Sequence, residues 1–406
     1  MRVPEKSNMR VLIAGGGTGG HLYPGIAIAE EVTRRAGGQV LFVGTARGLE
    51  TKLVPAAGFA LELLEVSGLN RVGLGRFLKG LSRLPGALFA SRGLLKRFRP
   101  DLVIGVGGYA SGPLVLTAAL LGYPTAIQEQ NSQPGFTNRV LGRFVRRVFI
   151  AFDDAAGFFA ASKTRLVGNP VRRRFVDASS AVAARARSSR GEKMVSDGER
   201  ARRPEDLTLL VVGGSQGARA VNDLVMAAAA VLHAEGRARL PRIVHQTGPA
   251  DEARVRERYG ELGLAELVDV RSFIDDMPAA LTAASVVVGR AGALTLAELS
   301  MVGRPAILIP LPTAAADHQS RNAAAFARAG AALVADQRTT SPEKLAGLIK
   351  ALCDDGARRA EMGSAMATLG RPDAARELVD ELERVAGGAT TGPEPSSDGG
   401  VTGEAR

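Results

Sequence analysis

VLIAGGGTGGH at residues 11–21 and LLVVGGSQGA at residues 209–218 each run a short apolar stretch straight into a glycine-rich turn. Such a run reads as a buried strand of a parallel sheet that hands the chain to a helix start. Working outward, one series of candidate strands covers 10–14, 39–43, 61–66, 101–105, 125–128 and 145–151. A second covers 207–212, 242–245, 268–271, 285–288, 306–309 and 332–335, and Ala-rich amphipathic stretches separate the members of each series. This alternation predicts an α/β protein of two Rossmann-like doubly wound domains, with ligands in a cleft at the carboxyl ends of the strands.

The expected division is a first domain over 9–172, a linker or surface insertion over 173–206, a second domain over 207–386 and a disordered tail over 387–406. The last helix of the second domain is a candidate to pack back on the first. Residues 177–206 justify the insertion, with seven basic and six acidic side chains and almost no large apolar ones. The polar residues 1–8 read as a leader outside the fold, without the pattern of a signal peptide. Residues 102–128 form an uncharged run long enough to span a bilayer, but Gly105, Gly107, Gly108, Gly112, Pro113, Gly122 and Pro124 split it into strand, helix and strand. The single cysteine, Cys353, excludes an intramolecular disulfide and a multi-cysteine zinc site.

The glycines supply the first chemistry. Gly15, Gly17 and Gly20 match G-x-G-x-x-G between a strand and a helix, where backbone amides can meet a phosphate. The second strand ends Phe42-Val43-Gly44-Thr45-Ala46, without the acidic residue that would hold an adenosine ribose, which argues against a nicotinamide cofactor. His21, at the helix start, reads either as a base candidate or as a capping or packing histidine. Glu298, one turn into the helix after Gly289–Gly292, reads either as a partner for a ribose diol or as a carboxylate complementing the helix dipole. No D-x-D pair is present to clamp a cation, so no metal is expected and any diphosphate must be met by amides, Arg or Lys.

In order, GGGTGGHLYPG (15–25), GVGGYASGP (105–113), EQNSQPGFTN (129–138), GNPVR (168–172), GGSQGA (213–218), HQTG (245–248), FIDDM (273–277), RAGALTLAE (290–298) and DHQSRNA (317–323) resemble one family. Its members are the peptidoglycan transferases that add N-acetylglucosamine to undecaprenyl-diphospho-N-acetylmuramoyl-pentapeptide. The resemblance runs from about Met9 to Ala386. It implies the GT-B fold, with an N-terminal acceptor domain, a C-terminal nucleotide-sugar domain and no cofactor. The implied reaction is inverting transfer from UDP-N-acetylglucosamine to the 4-hydroxyl of the lipid-linked muramic acid. Implied donor contacts are Thr18, Gly19, Gly20, Asn131, Arg172, Ser215, Ile274, Ala293, Leu294, Thr295, Leu296, Ala297, Glu298 and Gln319. Of these, Ile274 would act through its backbone on uracil, Glu298 on ribose, the 292–295 helix start on diphosphate and Gln319 on the sugar. His21 is the matching base, and Gly16, Gly17, Gly107, Gly108 and Tyr109 are candidates for the acceptor diphosphate. The family commonly has Ser at position 289, where this chain has Gly. A nucleotide-sugar epimerase on the same scaffold is the main alternative, and a nicotinamide oxidoreductase a weaker one.

Charge supplies the partner. The chain carries 52 Lys+Arg against 41 Asp+Glu, a net +11. Residues 66–100 hold eight basic and no acidic side chains, interleaved with Leu at helical spacing. Leu74, Arg76, Phe77, Lys79, Leu81 and Arg83 form the expected patch for an anionic membrane surface, alongside the plainer reading of a packed helix with a solvated basic face. Stacking aromatics are lacking, so nucleic acid is not expected. The resulting picture is a peripheral enzyme on the cytoplasmic face of the inner membrane, binding UDP-N-acetylglucosamine and an undecaprenyl-linked muramoyl-pentapeptide.

Overall fold

The computed structural model describes residues 9–46, 48–65, 74–188, 204–236, 240–314 and 317–388, with backbone alone for Ala36, 74–84, 181–188 and Pro204. The first domain runs β1 (Arg10–Gly15), α1 (Gly19–Ala36), β2 (Gln39–Gly44), α2 (Glu50–Ala56), β3 (Ala60–Leu63), α3 (Leu74–Phe98), β4 (Leu102–Gly107), α4 (Ser111–Leu120), β5 (Thr125–Glu129), α5 (Phe136–Leu141), β6 (Arg147–Ile150) and β7 (Thr164–Leu166). Helix α6 (Arg173–Ser188) leads into the second domain. That domain runs β8 (Thr208–Val212), α7 (Arg219–Ala234), β9 (Arg242–Gln246), α8 (Glu252–Glu261), β10 (Val268–Arg271), α9 (Met277–Ala283), β11 (Val286–Gly289), α10 (Ala293–Val302), β12 (Ala306–Leu308), α11 (His318–Arg328), β13 (Ala332–Val334), α12 (Pro342–Asp354), α13 (Gly356–Thr368) and α14 (Ala374–Ala386).

Both sheets are parallel, ordered β3-β2-β1-β4-β5-β6-β7 and β10-β9-β8-β11-β12-β13. Each therefore reverses direction beside its first strand, between β1 and β4 and between β8 and β11, and such a reversal opens a crevice at the strand ends. Central strands are buried on both faces, so they read as unbroken apolar runs. In β1, Val11 and Ile13 join one core of the first domain while Leu12 and Ala14 join the other. The uncharged 102–128 run resolves into β4, α4 and β5, and no helix among the described residues is long and apolar enough to cross a membrane.

Two features depart from the expected layout. β7 was not among the candidate strands, because Thr164-Arg165-Leu166 is a three-residue sheet edge with one apolar side chain. The 173–206 insertion begins as α6, and Phe175 is fully buried in the second domain's core beside Val171 and Leu210. Residues 189–203 lie outside the described residues, as do 1–8 and 389–406. The chain also returns to its start: Leu378, Val379, Leu382 and Val385 of α14 pack with Val11, Ile28 and Val32 in the first domain's core. Arg35 on α1 pairs with Asp380 and donates to the Arg376 carbonyl at 2.8 Å, which fixes α14 along α1.

Candidate functional site

A cavity of about 660 Å³ lies between the two domains, bounded by the carboxyl ends of both sheets. From the first domain, Thr18, Gly19, Gly20, His21, Tyr23, Gln130 and Asn131 line it. Arg172 lines it at the crossing between the domains, and from the second domain come Ser215, Ile274, Arg290, Ala293, Leu294, Thr295, Glu298 and Gln319. Thus these sixteen residues from distant parts of the sequence share one space, among them all the expected donor contacts but two. Leu296 and Ala297 are the two exceptions. Leu296 is fully buried in the core, and Ala297 lines a separate cavity of about 210 Å³ behind α10. Ala297 lies one turn after Ala293, which borders both cavities, and Leu296 lies opposite the face that carries Leu294 and Glu298.

Helix α10 begins after Gly292, which adopts an extended conformation with no side-chain cap, so its first amides point to the cleft. A helix start of this kind favours anionic groups. Arg290 adds a positive charge just before it. Its guanidinium donates to the carbonyls of Ile309 (3.0 Å) and Pro310 (3.2 Å) and, among the described residues, meets no carboxylate. Gly289 ends β11 so close to β8 that a Cβ would lie 2.8 Å from the Val212 carbonyl oxygen.

Glu298 and Arg172 form a buried ion pair at 2.9 Å. Burial pushes the Glu298 carboxyl above its ordinary value, against the pull of Arg172. The guanidinium also stacks over the Tyr23 ring at 4.0 Å, so a single side chain ties α1 to α10. Gln319 accepts from the Leu311 amide at 3.0 Å through Oε1, which leaves its NH2 as the group to offer a ligand. The Ile274 amide donates to Gln246 Oε1 at 2.9 Å, so its carbonyl is the backbone group left for a base edge. Gln246 itself donates to the Gly214 carbonyl at 3.0 Å, locking the GGSQGA turn to the HQTG stretch. Behind it, His245 bonds the Tyr259 hydroxyl (3.0 Å) and Asn222 Oδ1 (3.1 Å), and burial pushes its imidazole down to about 3.

The first domain's glycine turns have an organiser that the sequence reading missed. Glu50, fully buried at the start of α2, accepts from the amides of Gly17 (2.8 Å) and Thr45 (2.7 Å) and from the Thr45 hydroxyl (2.8 Å). Burial pushes its carboxyl up, but these hydrogen bonds outweigh that and hold it below its ordinary value. The same packing surrounds the acceptor-diphosphate candidates. Gly17's amide is already committed to Glu50, and Gly16 packs between Glu50 and Gly108 with no room for a side chain. Gly107 has φ +99°, and a Cβ there would fall 2.5 Å from His21 Nδ1. These glycines make room for neighbours, and only Tyr109, half exposed, presents a free side chain near them. None of the five lines the cleft cavity.

A second missed carboxylate is Glu129 at the end of β5. Its Oε1 accepts from the Asn131 amide (3.0 Å) and its Oε2 from the Gly135 amide (3.1 Å) and Asn138 (2.9 Å), so it shapes the loop that presents Asn131. Across the cleft, Asn322 of α11 accepts through Oδ1 from both the amide (3.1 Å) and hydroxyl (2.8 Å) of Ser132. A lone carboxylate closing a buried strand, as in AIQEQN, is the local signal for Glu129; Glu50 and Asn322 act on distant loops and leave no such trace.

The expected membrane patch, Leu74, Arg76, Phe77, Lys79, Leu81 and Arg83, falls in the first half of α3, where the backbone is helical and the side chains lie outside the described residues. Further along α3, Leu94 and Leu95 are buried, Arg92 and Lys96 are exposed, and Phe89 is 79% exposed.

Two doubly wound domains facing a cleft, with an open helix start and a buried carboxylate in its wall, have the architecture of the GT-B fold. Residues 11–150 match the glycosyltransferase family 28 N-terminal domain and residues 208–378 its C-terminal domain. The chain belongs to the family of UDP-N-acetylglucosamine–N-acetylmuramyl-(pentapeptide) pyrophosphoryl-undecaprenol N-acetylglucosamine transferases. One such enzyme, from Anaeromyxobacter sp. (strain K), is 48% identical over 92% of each chain. The crystal structure of Acinetobacter baumannii MurG is 30% identical, with a TM-score of 0.72 over 93% of this chain and 99% of that one. A UDP-N-acetylglucosamine 2-epimerase structure, 15% identical with a TM-score of 0.64 over 96% and 99%, shares the fold alone. The epimerase alternative therefore has the scaffold on its side but not the sequence.

Proposed function

We propose that the protein transfers N-acetylglucosamine from UDP-N-acetylglucosamine to the 4-hydroxyl of the muramic acid of undecaprenyl-diphospho-N-acetylmuramoyl-pentapeptide, with inversion, giving UDP and the disaccharide lipid. The observation that carries this reading is the single cleft that collects His21 from one domain and the α10 start, Arg290 and Glu298 from the other. In the proposed reaction the acceptor oxygen attacks C1 of the sugar as the bond from C1 to the UDP oxygen breaks. His21 takes the hydroxyl proton. The charge that develops on UDP is met by the α10 amides and Arg290, and inversion follows from one displacement on the face opposite the leaving group. Glu298 accepts from the ribose diol, the Ile274 carbonyl accepts from the uracil ring N–H, and the Gln319 NH2 donates to the sugar.

The test is UDP release from UDP-N-acetylglucosamine with and without the lipid-linked acceptor. Release is expected with acceptor only; equal release without it, or conversion of the donor sugar alone, sinks the proposal. We also propose that α3 docks the enzyme peripherally on an anionic bilayer on the cytoplasmic side, where a lipid-linked acceptor is met. Reversing Arg76, Lys79 and Arg83 to Glu should weaken co-sedimentation with phosphatidylglycerol vesicles by about tenfold or more. Unchanged co-sedimentation rejects the docking face.

A further inference from the structure

Gln130 follows β5 and is 2% exposed. Its Nε2 lies 2.7 Å from the Val106 carbonyl oxygen and 3.4 Å from that of Gln128. Carbonyl oxygens only accept, so the group facing them is the amide NH2, and Oε1 points the other way. There it meets His21 Nδ1 at 3.1 Å. An amide oxygen also only accepts, so the hydrogen of that contact belongs to Nδ1.

We infer that Gln130 is a positioning residue that fixes His21 as the Nδ1–H tautomer, so that the unprotonated Nε2 is the nitrogen offered to the acceptor hydroxyl. The inference rests on the proposed role of His21 as base and says how that base is prepared. Its neighbours enforce the orientation a second time. Gln130 Nε2 also bonds Gln128 Oε1, and Gln128 Nε2 donates to Asn169 Oδ1 at 3.2 Å. Gln128 and Asn169 are both buried, so donation along this chain runs one way, from the imidazole through Gln130 and Gln128 to Asn169 Oδ1. Gly107, with no side chain, leaves the space in which Nδ1 reaches Gln130, since a Cβ there would fall 2.5 Å from that nitrogen.

A carboxylate is the usual orienting group for a catalytic imidazole. Here a neutral amide does the same work without placing a negative charge beside a diphosphate-bearing substrate. When Nε2 takes the proton, Nδ1–H keeps its bond to Gln130, so nothing need rearrange during the step.

The test is nitrogen-15 spectroscopy of the full-length enzyme labelled at histidine, with the His21 signals identified among the four histidines by their loss in His21→Ala. The expected spectrum shows neutral His21 protonated at Nδ1; protonation at Nε2 overturns the inference and needs no variant. Gln130→Met keeps the length and removes the acceptor. It should shift His21 toward the Nε2–H tautomer and lower kcat about 10- to 100-fold, with KM for UDP-N-acetylglucosamine within about twofold. Retention of both the Nδ1–H tautomer and full turnover in Gln130→Met overturns the inference. Turnover that survives His21→Ala sinks the base reading instead, and the two failures are told apart because the tautomer is read independently of rate.

Discussion

Glu298 is asked to accept hydrogen bonds from a sugar diol while buried, and a buried carboxylate without a cation is costly. Arg172 supplies the cation at 2.9 Å, and Tyr23 holds Arg172 in place. Arg172→Met should therefore weaken UDP binding although its side chain need not touch the nucleotide, and should cost about 3–5 kcal/mol of stability by leaving the carboxylate unpaired. A stability curve unchanged in urea would refute the pairing argument. The raised Glu298 carboxyl sets the sign of a pH effect. As pH falls, it protonates earlier than an ordinary carboxyl, and the protonated form loses accepting capacity, so UDP affinity should fall on acidification from above the usual carboxylate range. Calorimetric titration against pH checks this, with Glu298→Gln expected to be weaker throughout and flat. At this scale the sequence was legible where a motif placed a side chain directly in the wall of the interdomain cavity: His21, Asn131, Arg172, Glu298 and Gln319 all line it. It was not legible for residues that act on other residues. Glu50, Gln130 and Asn322 reach partners 33, 109 and 190 positions away in sequence, and no local pattern records such a pairing.

Turns and strands show the opposite balance. Strand cores made of Val, Ile and Leu announce themselves, and the glycine turns after β1, β4 and β8 mark where each ends. What the pattern did not separate is why a given glycine is there. Gly17 and Gly107 suggested phosphate contact, and in the fold the Gly17 amide also meets Glu50 while Gly107 admits the His21 ring. Gly217 makes the same point in the second domain. It has φ +75°, and any side chain would collide with the backbone of Thr247. Gly217→Ala should thus separate the GGSQGA turn from the HQTG stretch and destabilise the second domain by about 2 kcal/mol or more, because the positive φ and the close backbone both oppose a Cβ. A melting temperature within error of the parent would remove the close-approach argument. The short edge strand β7 went unseen for the reverse reason, because an edge with one apolar residue has too little pattern to register.

At the scale of the molecule the domains are not a simple succession. The chain crosses to the second domain near Arg172 and comes back before α14, whose Leu378, Val379, Leu382 and Val385 complete the first domain's core. Burying four such side chains contributes up to about 6–12 kcal/mol by area bookkeeping. Deleting residues 374–388 should accordingly expose α1 and β1 to hydrogen exchange while β8 and β11 of the second domain keep their protection. Equal loss in both domains, or in neither, contradicts that assignment. The first domain was already the candidate surface for this last helix, although periodicity gives a helix its face and not the particular residues it meets.

The return of α14 also dictates where this protein can be recombined. An engineer who wishes to exchange the sugar-nucleotide half for that of another transferase would naturally cut once, after α6, and keep everything downstream as the cassette. Such a cassette would carry a foreign α14 into a native α1 groove, where Arg35 expects Asp380 and the Arg376 carbonyl. The exchangeable module instead ends at the second crossing, near residue 372, and residues 374–386 must be inherited with the recipient. A two-cut graft has a matched seam, whereas a one-cut graft asks two unrelated lineages to share a single core.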